Sequence, residues 1–211
     1  LTLTWETLEG LAKHNGPVTG ALQHALSNYN ERHDLELHTH ASAEAQIAAL
    51  SDDIAYNNHD LHDGLRAGLF TQDDICALPI VGDAFEQVDR IYPNLDPTRR
   101  MHEALRRVFG VMVSDVIETS SINLSESKAS TAQDIRDLGK PVILFSNAIW
   151  ADLKIIRKFL FTRMYRAPSV VEMRVRVTSV VENLFPLFMQ HTDLLPAEWR
   201  ADVERACDET E

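Results

Sequence analysis

Cysteine is nearly absent from this chain: Cys76 and Cys207 are the two in 211 residues. They are too few and too far apart for a disulfide framework or a zinc site, which makes a reducing cytoplasm the natural setting. No apolar run approaches the roughly 18 residues of a membrane span. The first residues carry no basic-then-apolar signal segment. There is no internal repeat and no composition shift that marks a domain boundary. Positive charge is in deficit, 20 Lys and Arg against 32 Asp and Glu, and the net charge of −12 repels nucleic acid in bulk. Local basic clusters survive at Arg99, Arg100, Arg106 and Arg107, and from Lys154 to Arg166. The chain opens on Leu1 rather than Met and ends abruptly near Asp208-Glu209, so it reads as a piece of a longer protein.

What remains is ordinary for a soluble domain, 45% hydrophobic and 25% charged, and almost all of it has helical periodicity. One all-α region over residues 1–211 is expected. Helices are predicted from Thr4 to about Lys13, stopped by Asn15-Gly16-Pro17, and from Val18 to about Tyr29. Arg32 to His40 is irregular. Ser42 can cap a long helix reaching Ala67. A short helix started by Thr71 or Asp73 follows, then Asp83–Ile91. Pro97 suits the first turn of a helix running to about Thr119. The Ser-rich stretch Ser120–Thr131 reads as a mobile loop. Val142–Phe145 is a short strand or buried coil. Ser146 can cap Asn147–Tyr165. Helix resumes after Ala167-Pro168-Ser169 and ends near Gln190, kinked at Pro186. Pro196 opens a last amphipathic piece.

The Ser42 helix has two unlike faces. At about 100° per residue, Ile47, Leu50, Ile54, Leu61 and Leu65 share one side. Asp52, Tyr56, His59, Asp60 and Asp63 share the other, interspersed with alanines. Asp52, Tyr56 and Asp60 form a ladder with steps of roughly 6 Å in axial rise. Hard carboxylate oxygens suit a divalent metal, and a tyrosine suits a sugar or a phosphate. The same spacing fits a solvated acidic face with one exposed tyrosine. His38-Thr39-His40 offers two imidazoles with no third ligand in range, or simply an exposed loop. His59 and His62 flank the ladder as satisfied polar residues or as a proton shuttle. His102 and Arg106 lie four apart on the Pro97 helix, one turn beyond Arg99. Arg grips phosphate oxygens in a fork, but surface arginine beside Glu103 explains the pair equally well. The Lys154–Arg166 helix reads as a core helix with a basic outer face.

A longer pattern joins these pieces. Ala49-Leu50-Ser51-Asp52-Asp53-Ile54-Ala55-Tyr56-Asn57-Asn58-His59-Asp60, with Asp63-Gly64-Leu65-Arg66-Ala67-Gly68-Leu69-Phe70, resembles the HD-domain deoxynucleoside triphosphate triphosphohydrolases. Leu3 to Gly10 before Lys13-His14, Glu44-Ala45-Gln46, Arg106-Arg107, Phe159-Leu160-Phe161 and Arg163-Met164-Tyr165-Arg166 agree with it. The resemblance implies an HD-domain-like helical bundle. It also implies metal-dependent hydrolysis of a deoxynucleoside triphosphate (dNTP) to the deoxynucleoside and inorganic triphosphate, with Mg2+ or Mn2+ as the ion. The family binds its metal through an early His, a His-Asp pair and a later Asp, and Asp52 matches the last. Tyr56 and Asp60 match positions that contact the sugar and the phosphates. Asp53 matches a variable position facing the substrate in some relatives. Arg106 and His102 match a helix the family sets against phosphate.

The early ligands have no match in this chain. His33-Asp34 falls in a loop and His59-Asp60 on the Asp52 helix itself, so the His and the His-Asp pair are expected upstream of Leu1. A Tyr- and Gly-containing segment near the family's C-terminal end is also without a match. Symmetric homo-oligomers, and regulation by a nucleotide or single-stranded DNA, are further family traits. Two alternatives stay open: another HD-type phosphohydrolase acting on monophosphates or cyclic nucleotides, and a catalytically incomplete helical module that binds nucleotides or a partner.

Overall fold

Side-chain caps start most of the helices in the computed structural model, which describes residues 3–208; for 204 and 206–208 only the backbone is described. Thr4 accepts from the Thr7 amide at the head of α1 (Trp5–Lys13), and Ser42 from the Ala45 amide at the head of α3 (Ala43–Arg66). Capping boxes at Thr71 and Thr131 open α4 (Gln72–Cys76) and α7 (Ala132–Asp137). Asp96 caps α6 (Pro97–Ser127), which carries proline in its first turn. The remaining helices are α2 (His24–Asn30), α5 (Val81–Ile91), α8 (Asn147–Leu160), α9 (Pro168–Gln190) and α10 (Ala197–Asp208). No strand occurs among the described residues, and the fold is all-α as expected. Among the described residues, no helix is long and apolar enough to cross a membrane.

The chain divides into two compact units, residues 1–160 and 161–211, where the sequence offered no boundary. In the first, α6 packs on α5 and α3, and α8 packs on α3. Phe85, Leu61, Val108, Met112, Leu153 and Ile156 are among the side chains buried in its interior. Close approach is built in at Gly64 of α3: a Cβ there would lie 2.1 Å from Cζ of Phe70. Phe70 in turn meets Phe159 edge-on at 5.0 Å. The second unit begins with a π-helical turn, Phe161–Tyr165, so the expected helix to Tyr165 changes its winding after Leu160. In this unit α9 runs through Pro186, and a single 3₁₀ turn, Thr192–Leu194, precedes α10.

Two expectations are corrected. The segment from Val18 is helical only from His24: Gly20 has φ +93°, and the Val18 amide is drawn to the Leu37 carbonyl at 2.8 Å. The Ser-rich stretch is not a loop, because α6 continues to Ser127 and ends on Lys128 in the left-handed region. Several of its polar side chains have partners. Ser121 and Ser127 donate back to Ile117 and Leu124, and Asn123 donates to the Val142 carbonyl. Ser120, which is buried, accepts from the Leu144 amide at 3.1 Å.

Val142–Phe145 is coil rather than strand, with side chains standing in for a neighbouring strand. Gln46 Oε1 accepts from the Val142 and Ile143 amides at 2.9 and 3.2 Å, and Asp115 accepts from the Ser146 amide at 2.8 Å. Val142 and Ile143 close a small cluster with Ile135, against which Leu50 of α3 packs.

The head of α3 is held by a buried ionic network. Glu9, Lys13 and Arg136 are 0%, 1% and 7% exposed. Glu9 Oε1 accepts from the backbone amide of Ser42, the α3 cap, at 2.8 Å. Its Oε2 takes the Arg136 guanidinium at 2.8 Å, and Lys13 Nζ stands 3.6 Å from Oε1. Lys13 also donates to Thr39 Oγ1 at 2.9 Å and to the Glu36 carbonyl at 3.3 Å. The Trp5 ring lies 4.9 Å from the Arg136 guanidinium and 5.9 Å from Nζ of Lys13, and its indole N–H donates to the Asp34 carbonyl. Burial dominates at Lys13 and pulls its pKa below the usual lysine value despite Glu9.

Candidate functional site

Helix α3 is pinned at its head by Glu9 and along its core side by Ile54 and Leu61, both buried. That fixes which way the acidic face points. Ile47, expected on the core side, is 49% exposed, and Asn57, which apolar periodicity passes over, is buried instead. Its amide donates to the Asp53 carbonyl at 2.6 Å, so the helix itself satisfies it.

Asp52 is exposed on the wall of a cavity of 570 Å³ that Lys13, His14, His40, Gln46 and Asp53 also line. Tyr56, 60% exposed, follows one turn later, and half-buried Asp60 one turn beyond that. The ladder read in the sequence is therefore an accessible face. Asp53 has a partner elsewhere: Arg157 of α8 stands 3.2 Å from its carboxylate, a charge contact that ties α8 to α3. The Arg157 guanidinium also lies 5.2 Å from the Trp150 ring. The basic outer face expected on α8 holds for Lys154 and Lys158, both exposed, while Leu153, Ile156 and Leu160 are buried.

His102 belongs to the other end of α3. Its ring lies 5.2 Å from that of His62, tilted by 38°, and both line a second cavity of 710 Å³ with Arg66 and Gln72. At 1.5 Å per residue, His62 sits about 15 Å along the helix axis from Asp52. Arg106 lies in an adjoining groove with Tyr92, Leu95, Arg99 and His102. Its guanidinium grips Glu103 with both arms, at 2.9 and 2.8 Å, and this ion pair raises the arginine's pKa and lowers the carboxylate's. Asp52 thus lines one cavity, while His102 and Arg106 line others. The histidines read from the 38–40 stretch separate as well: His38 is exposed, and His40 turns to the Asp52 cavity.

Among the described residues, no group of three or more His, Cys, Asp or Glu side chains could enclose a metal ion. Asp52 offers one carboxylate, and Asp53 is engaged by Arg157. The donors among the described residues do not by themselves make a metal centre. What sequence reasoning missed is the Glu9–Lys13–Arg136 cluster beside the Asp52 cavity. Its local trace, Trp5, Glu9 and Lys13 four apart on one helical face, looks like a surface ion pair until Arg136 covers it.

Residues 143–211 match the family model of the phosphohydrolase-associated domain. Over its whole length the chain is similar to proteins named deoxyguanosinetriphosphate triphosphohydrolase-like. It is 61% identical over 211 residues to that of Roseobacter denitrificans, covering 100% of this chain and 54% of the relative. It is 60% identical over 210 residues to that of Cereibacter sphaeroides, covering 100% and 56%. The Parvibaculum lavamentivorans protein of the same name is 45% identical over 210 residues, covering 97% and 53%. The resemblance read in the sequence is borne out by these matches, in which the chain spans about half the length of the curated relatives.

Proposed function

We propose that this chain supplies one wall of the active site of a deoxynucleoside triphosphate triphosphohydrolase. The observation that carries the reading is the accessible face of α3: Asp52 on a cavity wall, with Tyr56 and Asp60 stacked above it. The relatives' names give the chemistry its class. In this reading Tyr56 packs against or hydrogen-bonds the sugar, and Asp60 accepts from a hydroxyl. His102 and Arg106 take phosphate oxygens, Arg106 in a fork. Holding the substrate at several points fixes the orientation of the bond to be cleaved, which lowers the entropic part of the barrier. Asp52 would contribute one oxygen to a divalent cation, Mg2+ or Mn2+. Such an ion draws charge from the phosphate oxygens. A cytoplasmic homo-oligomer, with a nucleotide or single-stranded DNA as effector, completes the reading.

A second reading rests on the absence of a three-donor cluster among the described residues: a catalytically incomplete module that binds nucleotides or mediates assembly. One experiment separates the two. A chimera in which this chain replaces the matching stretch of the Roseobacter denitrificans relative is incubated with each dNTP and Mg2+ or Mn2+. Release of inorganic triphosphate and deoxynucleoside in equal amounts supports the first reading. Binding without turnover supports the second. Release of orthophosphate, or turnover of monophosphates or cyclic nucleotides alone, identifies a different phosphohydrolase.

A further inference from the structure

The groove beside α6 holds a charge imbalance. Glu103 accepts from Arg106 through both of its oxygens, and one of those, Oε1, also accepts from Arg107 at 3.0 Å. One carboxylate therefore serves two guanidinium groups. The two are not equivalent. Arg107 is 19% exposed and is further fixed by Gln87, to which it donates at 3.1 Å. Arg106 is 68% exposed and opens onto a groove of 370 Å³ that Tyr92, Arg99 and His102 also line. Arg107 has a donor to spare, since its buried Nε has no hydrogen-bond partner. If Arg106 leaves, Glu103 keeps a half-buried cation beside it.

We propose that Glu103 is the resident counter-ion of a phosphate-binding groove: it holds Arg106 folded back in the free protein, and the phosphate tail of a nucleotide displaces it. Glu103 is then a positioning residue that sets phosphate affinity without touching substrate. The proposal rests on the functional reading above and adds to it a built-in competitor for the incoming phosphate. A carboxylate presents two oxygens to a guanidinium fork much as a phosphate does, so the exchange preserves the geometry of the arginine. Exposed ion pairs are weak, which makes the exchange easy to reverse.

The test is equilibrium binding of inorganic tripolyphosphate and of dGTP to the chimera described above, carrying the wild-type sequence, E103Q, R106A or both substitutions. Glutamine keeps the shape of Glu103 and removes its charge. E103Q should tighten both ligands by up to about fivefold, the range an exposed ion pair commands. R106A should weaken both, and in the R106A background E103Q should bring no gain. A gain that persists without Arg106 would reflect net charge alone and overturn the proposal. No gain from E103Q, with R106A still weakening binding, would overturn it and leave the phosphate role of Arg106 standing. A gain for tripolyphosphate but not for dGTP would remove the nucleotide as the displacing ligand. Binding insensitive to R106A, or no binding at all, would overturn this proposal and the assignment of Arg106 together.

Discussion

Glu9→Gln removes a single negative charge from the interior and keeps the side chain's size. The amide oxygen of glutamine can still accept from the Ser42 amide, so the cap of α3 keeps its contact. What is lost is the carboxylate that Lys13 and Arg136 share, both cations being almost wholly buried. Removing one partner of a buried ion pair costs about 3–5 kcal/mol, because the other is left as an uncompensated charge. Lys13 retains Thr39 and the Glu36 carbonyl, and Arg136 retains Gln133, which argues for the lower end, about 3 kcal/mol. Against a typical total of about 5–15 kcal/mol, that is a large fraction. Lys13→Met is the informative contrast. It fills the same space and leaves Glu9 and Arg136 as a balanced pair, at the expense of two acceptors, so its cost should be near 1 kcal/mol. Urea titrations followed by helical circular dichroism measure both, with the midpoint moving and the slope constant. If Glu9→Gln stays within about 0.5 kcal/mol of the wild type, or Lys13→Met costs more than it does, the surplus charge is not what the network manages.

The same lysine gives a pH dependence of known sign. Its folded pKa lies below the ordinary 10.5, so between the two values the unfolded chain binds a proton the folded one has shed. Stability of the wild type relative to Lys13→Met should rise as pH climbs through that window, and a flat difference would contradict the burial argument. Asp89 works in the opposite direction. Its hydrogen bonds from Arg100 hold its pKa below 3.8, so the stabilisation is present above that value and is lost as pH falls through the folded one. Acid titration of wild type against Asp89→Asn should show the gap closing, and a gap that persists at the acid limit would refute it. Gly64→Ala should destabilise by about 1–3 kcal/mol, because a Cβ 2.1 Å from the Phe70 ring forces that ring off Phe159. The helix propensity gained is at most about 1 kcal/mol. Adding Phe70→Leu should recover part of the loss, and no recovery would place the strain elsewhere.

Local signals and long-range ones divide the legible from the illegible here. Ser42, Thr71 and Pro97 announce helix starts through chemistry that acts within one turn, and the structure uses each as read. The acidic ladder of α3 was legible because helical periodicity fixes a face without knowledge of partners. The helical run through Ser120–Ser127 was not, because what keeps it helical is partly the segment at Val142–Leu144, whose backbone meets Ser120 and Asn123. Val142–Phe145 was ambiguous for the matching reason: its amides are satisfied by Gln46, Ser120 and Asp115, none of them a sequence neighbour. Asn57 was missed because its donor is satisfied by its own helix, which lets a polar side chain sit where periodicity asks for an apolar one. The Glu9–Lys13 pair was unremarkable at four-residue spacing until Arg136, 127 residues from Glu9, closed over it.

Asp52 carries the account, and one measurement bears on it most directly. The chimera with the Roseobacter denitrificans relative is prepared with Asp52, with Asp52→Ala and with Tyr56→Ala. Bound Mn2+ and dNTP-dependent release of inorganic triphosphate are then read on the same samples. Asp52→Ala should lose metal and turnover together. Tyr56→Ala should keep the metal and raise KM. An Asp52→Ala protein that retains both metal and wild-type turnover would contradict the assignment of the α3 face as an active-site wall.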